Sequence, residues 1–180
     1  MRITGGCLAG RIVDVPKGII RPAMDRMRES VFAILGDLSG KSFLDLFSGS
    51  GIIALEAASR GANPIEVVEM DKNKRSTLIK NISIAPVRIN CKFIAVELYI
   101  KRAKKHFDCI FCDPPFPYQY KWELIKSIAA SPVMQEGSML IVHRPREDYN
   151  DAGVEKLVLT DHREYGRSVV DFWQSNQIKE

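Results

Sequence analysis

Between Ser42 and His143 five short apolar runs are separated by stretches of helical spacing, and few folds accept that alternation. The runs are Ser42–Leu46, Ile65–Met70, Cys91–Val96, Phe107–Cys112 and Ser138–His143. Between them lie a helix from Ile52 to about Arg60, a polar-faced helix over Asp71–Ile84 and a basic helix carrying Lys101, Arg102, Lys104 and Lys105. A last one, around Tyr120–Ala130, presents Trp122, Leu124, Ile125 and Ile128. Strands joined through helices require right-handed crossovers, so the pattern predicts a mostly parallel sheet with helices on both faces. The tail breaks the pattern. Val154–Thr160 and Ser168–Trp173, with Tyr165-Gly166 between them, read as a closing antiparallel hairpin, which makes seven strands in an α/β fold.

A basic segment precedes this alternation. Residues 2–15 read as two short strands around Gly5-Gly6 and Gly10, closed by Pro16, and Met24, Met27, Val31, Ile34, Leu35 and Leu38 recur at helical spacing. In 180 residues with no repeat or linker-like stretch, one domain is expected over 1–180, with 1–40 as a basic appendage and 41–180 as the main fold. The net charge is +4, and residues 1–30 hold six basic against three acidic side chains, which marks this end as a candidate phosphate-facing surface. No apolar run reaches the roughly 18 residues of a membrane span, and Arg11 and Asp14 interrupt any signal-peptide core, so a cytoplasmic protein with no membrane partner is expected. Four scattered cysteines do not make a disulfide scaffold. Cys109 and Cys112 form a C-x-x-C, but on a strand positions three apart face opposite sides. The three histidines lack metal-ligand spacing, so no metal is expected, and they read as surface or strand-end residues.

Two turns carry chemistry. The first strand runs into Phe47-Ser48-Gly49-Ser50-Gly51, where glycines permit a tight turn and close approach of a ligand to the backbone. Eighteen residues after Gly51, Glu69 ends the second strand, near the spacing at which an acid accepts from ribose hydroxyls. Together they form an adenosine-ligand signature. Gly49-Ser50-Gly51-Ile52-Ile53-Ala54 also fits the dinucleotide fingerprint of an NAD(P)-dependent oxidoreductase. Asp45 inside the first strand and the second turn, Asp113-Pro114-Pro115-Phe116, have no evident task in hydride transfer. That second turn stops the fourth strand, because neither proline has an N–H to continue a ladder. It sets a carboxylate, free carbonyls and an aromatic face at a strand's carboxyl end, where open α/β sheets bind ligands. Such a set suits a planar amino group.

On these residues the chain resembles the class I S-adenosylmethionine-dependent methyltransferases. More closely, it is similar to the bacterial 16S ribosomal RNA guanine-N2 methyltransferases of the guanine 966 type. The matching pieces are Met1-Arg2-Ile3 with Gly6 and Gly10-Arg11; Arg21-Pro22 with Asp25-Arg26 and Arg28-Glu29-Ser30; Leu44–Gly51; Glu56-Ala57 with Ser59-Arg60-Gly61-Ala62; Glu69 with Asp71-Lys72; Phe107–Phe116; and Tyr165-Gly166. The resemblance implies a Rossmann-like fold that binds S-adenosylmethionine through Asp45, Phe47, Ser48, Gly49, Ser50, Gly51, Glu69 and Met70. It implies catalysis by Asp113, Pro114, Pro115 and Phe116. The substrate would be 16S ribosomal RNA or a 30S assembly particle, contacted by Arg21, Arg26 and Arg28. One departure is the end of the third strand, where Phe93–Val96 offers no acid for the adenine and Glu97 follows one or two positions late. Competing readings keep the cofactor and change the acceptor to DNA or a protein glutamine, or reduce the chain to a non-enzymatic RNA binder.

Overall fold

A computed structural model describes residues 1–15, 23–149 and 153–176. The apolar runs form β1 (Phe43–Leu46), β2 (Ile65–Val68), β3 (Ile89–Lys92), β4 (Cys109–Cys112) and β5 (Met139–Pro145), followed by β6 (Leu157–Tyr165) and β7 (Ser168–Ser175). The helices are α1 (Ala23–Leu35), α2 (Ile52–Ser59), α3 (Arg75–Ile82), α4 (Val96–Arg102) and α5 (Lys121–Ala130), with a 3-10 turn at Lys72–Lys74. All seven strands join one sheet in the order β3-β2-β1-β4-β5-β7-β6. The first five run parallel, and β7 lies antiparallel to both β5 and β6. The order reverses between β1 and β4, the topological switch point at whose carboxyl edge such sheets open a crevice. The inserted antiparallel β7 departs from the 3-2-1-4-5-6 order of dinucleotide-binding sheets.

Strand alternation sends side chains to two apolar layers. Phe43, Val67, Cys109, Phe111 and Phe172 pack with Val31, Phe32, Leu55 and Leu78 on one face. Leu44, Leu46, Ile110, Cys112 and Leu140 pack with Ile100, Leu124 and Ile128 on the other. Cys109 and Cys112 therefore fall in different layers, as strand geometry requires. Burial pushes the Cys109 thiol up to about 11, and that of Cys112 higher still, so both stay protonated.

Two expectations need correction. The third strand is Ile89–Lys92, not Cys91–Val96, because its ladder ends where Val68 pairs with Lys92. Val96, Tyr99 and Ile100 then use their three- and four-residue spacing to bury one face of α4. That helix ends at Arg102, so Lys104 and Lys105 lie beyond it, and Lys105 Nζ pairs with the buried Glu66 at 2.6 Å. The sixth strand starts later and runs further than Val154–Thr160. Its Asp161-His162-Arg163-Glu164 stretch looks too polar for a strand but suits an exposed sheet edge, where charge discourages pairing with another chain.

The amino-terminal segment closes on itself through a single antiparallel bridge, Arg2 to Ile12, and docks on α2. That helix is buried on all sides, so its one carboxylate, on Glu56, must find its partners inside. Thr4 donates to it from both its N–H (2.8 Å) and its hydroxyl (2.9 Å), Arg28 Nε from α1 at 2.9 Å, and Arg60 completes the set. Ile3, Val13 and Met27 consequently share one buried cluster with Phe43 and Phe172. Glu56→Ala should lower the unfolding free energy by about 3–5 kcal/mol, because it removes the one buried carboxylate on the Arg28 guanidinium and leaves it only the Arg2 carbonyl and the exposed Asp25. Urea denaturation checks this, and a loss below about 1 kcal/mol would mean the network does not hold the segment in place.

Candidate active site

Parallel pairing of β1 with β4, with Leu46 opposite Cys112, sets the glycine turn and the Asp-Pro-Pro-Phe turn side by side. Asp113 donates its N–H toward the carbonyl of Leu46, the last register contact before the chains part. They open onto a cleft of about 800 Å³ lined by Phe47, Glu69, Met70, Asp113, Pro114, Pro115 and Phe116, all expected site residues, and also by Glu97, Tyr118 and His143. Its size falls within the usual range for small-molecule pockets.

Phe47 adopts a left-handed backbone, φ 62°, which is costly for an aromatic residue and tips its ring into the cleft beside Tyr118, 5.8 Å between centroids. The two glycines then divide the work. A Cβ on Gly51 would meet Leu78 at 2.7 Å and Ile82 at 2.9 Å, so Gly51 lets α3 pack against the turn. A Cβ on Gly49 would meet nothing closer than 3.9 Å, so its outer side is open to a ligand. Gly49 N–H donates to Glu69 Oε2 at 2.9 Å and Asp71 N–H to Oε1 at 2.8 Å. Each oxygen keeps a second lone pair for a hydroxyl group. Asp45, Ser48 and Ser50 lie underneath, buried, and support the turn without lining the cleft. Ser48 Oγ donates to Asp45 Oδ2 at 2.6 Å. Met70 stands exposed at the rim.

The far side of the cleft is built on the Asp-Pro-Pro-Phe turn. His143 Nδ1 lies 2.8 Å from Asp113 Oδ1, and the imidazole also packs 5.5 Å from the Phe116 ring. Oδ2 of Asp113 has no protein partner among the described residues. Pro114 is buried and Pro115 exposed. Behind them the buried amine of Lys121 donates to the carbonyls of Phe116 and Tyr118, at 2.7 Å each, and pairs with Asp148 at 2.6 Å. One buried charge thus fixes the loop that follows the prolines. A second cavity, of about 860 Å³, continues past Phe116 and His143 and is also lined by Arg26, Glu147 and Arg167.

Sequence reasoning missed His143, Lys121 and Tyr118, and it read His143 as a surface or strand-end residue. It ends no strand and is 3% exposed. Glu97 reaches the cleft from the first turn of α4 and accepts from Tyr118 Oη, so the acid absent from the third strand enters from the helix that follows it. Burial and this carboxylate push the Tyr118 phenol up, keeping it a donor. Arg28 is a correction. It is 2% exposed and donates to Glu56 and to the Arg2 carbonyl, so its guanidinium belongs to the interior and not to an RNA-facing surface. Arg26 is exposed, and Arg21 lies outside the described residues.

A cleft lined by an Asp-Pro-Pro-Phe turn, over the switch point of a sheet with an antiparallel seventh strand, places the chain among the class I S-adenosylmethionine-dependent methyltransferases. The residues fit that cofactor: the open side of Gly49 admits an approaching ligand, Glu69 has lone pairs to spare, and four acids against two lysines in the lining favour a sulfonium cation. The chain belongs to the family described as Conserved hypothetical protein 95, whose family model matches residues 1–174. It is 30% identical to YlbH of Bacillus subtilis over 182 residues, 97% of this chain and 98% of the relative. It is 36% identical to ribosomal RNA small subunit methyltransferase D of Escherichia coli over 121 residues, 64% of this chain and 60% of the relative's length. Among solved structures, the Escherichia coli protein yhhF superposes with a TM-score of 0.88 at 27% identity, covering 98% of both chains. Among the described residues no His, Cys, Asp and Glu cluster is arranged to hold a metal ion, and no helix is long and apolar enough to cross a membrane.

Burial pushes the Asp45 carboxyl up to about 7; the Ser48 hydroxyl opposes the shift, and the carboxylates of Asp113 and Glu69 add to it. Because the folded state holds this proton more tightly than the unfolded chain, the neutral form stabilises the protein fully below about pH 4. That contribution is lost as the pH rises to about 7. The unfolding free energy of the wild type relative to Asp45→Asn should therefore fall across this window and level off above it. Urea titrations at a series of pH values read the difference, and a flat one would show that Asp45 ionises freely.

Proposed function

We propose that this protein transfers a methyl group from S-adenosylmethionine to the exocyclic N2 of a guanine in 16S ribosomal RNA, at a position of the guanine 966 type. The observation that carries this reading is the Asp113 carboxylate, which lines the cleft with one oxygen held by His143 and the other without a protein partner among the described residues, next to the His143 and Phe116 side chains that the two cavities share. The similarity to a ribosomal RNA small subunit methyltransferase supports it. Residues 1–180 act in this reading as one methyltransferase unit, on RNA or on a 30S assembly particle.

The cofactor, when bound, supplies an electrophilic methyl on a sulfonium, so the residues of the chain have only to position and deprotonate the acceptor. The N2 lone pair of guanine is delocalised into the ring and is a poor nucleophile. Hydrogen bonds from its two hydrogens to Asp113 Oδ2 and the Pro114 carbonyl favour a pyramidal nitrogen and aim its lone pair. With its proton on Nδ1, His143 donates to Oδ1 and stops the carboxylate from rotating away. Phe116 offers a stacking face worth about 1–3 kcal/mol. Its loop cannot drift, because Lys121 holds its carbonyl. As the N–C bond forms the methyl–sulfur bond would break, its electron pair staying on sulfur as a neutral thioether, and N2, now cationic, loses one proton to Asp113. Alignment within such a cleft accounts for much of the acceleration. The base has to leave its stack to enter.

The direct test supplies labelled S-adenosylmethionine with a 16S transcript, under-methylated 30S subunits, DNA and bulk protein, then maps the label. Incorporation at guanine N2 of 16S RNA is expected; label on DNA or protein alone would sink the assignment. Asp113→Ala should abolish turnover while cofactor binding, measured by calorimetry, largely survives. His143→Ala should lower kcat by roughly 10–100-fold, the cost usual for a partner that orients a working ligand, with KM for cofactor little changed. His143→Asn, whose amide reaches towards the same oxygen, should recover part of that loss.

A further inference from the structure

The larger of the two cavities has walls from opposite ends of the chain. One wall is α1, with Arg26, and the other is the turn between β6 and β7, with Arg167. Tyr165 Oη donates to Ser30 Oγ at 2.6 Å across 135 residues, fixing the two walls relative to each other. The loop after β5 is tied to the same turn, since Arg146 N–H donates to the Arg167 carbonyl at 2.9 Å. The charges on the rim are not equivalent. Glu164 is paired with Arg146 at 2.9 Å, and His162 lies 3.9 Å from it. Arg26 and Arg167 are exposed and have no carboxylate partner among the described residues. Glu147 adds one carboxylate to the lining, suited to a ribose hydroxyl or a base N–H but not to a phosphate. Phe116 and His143, at the turn that receives the target amino group, close the inner end.

We propose that Arg26 and Arg167 form a two-sided phosphate clamp. It seats the single-stranded RNA backbone on either side of the nucleotide whose base enters towards Asp113. This rests on the reading of the substrate as RNA. A guanidinium on each lip matches a polyanionic strand that must bridge the cavity, and its planar fork holds phosphate oxygens in pairs. Because both walls are tied together, the clamp fixes a distance between two phosphates and so favours an extruded nucleotide over a stacked one.

The test measures RNA binding and methyl transfer across a salt series for the wild type, Arg26→Gln, Arg167→Gln and the double variant. Each substitution should weaken RNA binding about five-fold near 0.1 M salt and shrink the slope of log affinity against log salt by about 0.7, the single-strand value per phosphate contact. Cofactor affinity and the melting temperature should not move, since both side chains are exposed and neither has a carboxylate partner among the described residues. Lys104→Gln, beyond the end of α4, serves as a charge control and should leave the slope unchanged. RNA methylation by the wild type with an unaltered slope in the double variant would overturn the clamp alone. Transfer by the wild type to DNA or protein but not to RNA would overturn the clamp together with the substrate reading.

Discussion

The pairing of β1 with β4 is the constraint on which the rest of the molecule depends. Strand order runs outward in one direction from β1 and in the other from β4, so the helices that follow these two strands leave on opposite faces. Nothing then covers the carboxyl ends of the pair, and the two turns emerge there a strand's width apart, about 4.8 Å. Asp113, Glu69 and His143 are each placed by this ladder or by an adjacent one. Glu69 follows β2, beside β1, and His143 lies on β5, beside β4. The last register contact of β4 with β5, Cys112 opposite Val142, makes Asp113 and His143 lateral neighbours.

That dependence separates what could be read from the sequence from what could not. Local signals located the glycine turn, the acid after β2 and the Asp-Pro-Pro-Phe stop, because glycine, proline and strand periodicity act within a few residues. His143 and Lys121 give no local signal. One becomes a partner of Asp113 only through a ladder between strands 30 residues apart, and the other looks like any lysine in a first helical turn until its amine is seen under the loop. Arg28 fails in the opposite way. Its basic neighbourhood reads as a phosphate-facing face, yet helical rotation turns Arg28 inward and Arg26 outward, since residues two apart on a helix do not share a face. The missed start of α4 and the length of β6 follow from the same cause: Phe93-Ile94-Ala95 has strand composition without a neighbouring strand to pair with, and the charged stretch of β6 has such a neighbour.

The site also distributes charge with economy. Four acids against two lysines line the cofactor cleft, and in the outer cavity Arg26 and Arg167 stand with Glu147 and Glu164. Two buried acids meet the cost of charge burial differently: Asp45 by a carboxyl pushed up to about 7, and Glu56 by filling its acceptor sites with four donors.

The walls of the outer cavity come from residues near 26 and near 167, and the tie between them spans 135 positions. During synthesis the glycine turn and both prolines emerge well before the second wall exists. A nascent chain therefore presents both turns before the outer cavity can form. The outer cavity is in this sense a product of tertiary closure: it exists only once segments 135 positions apart have met.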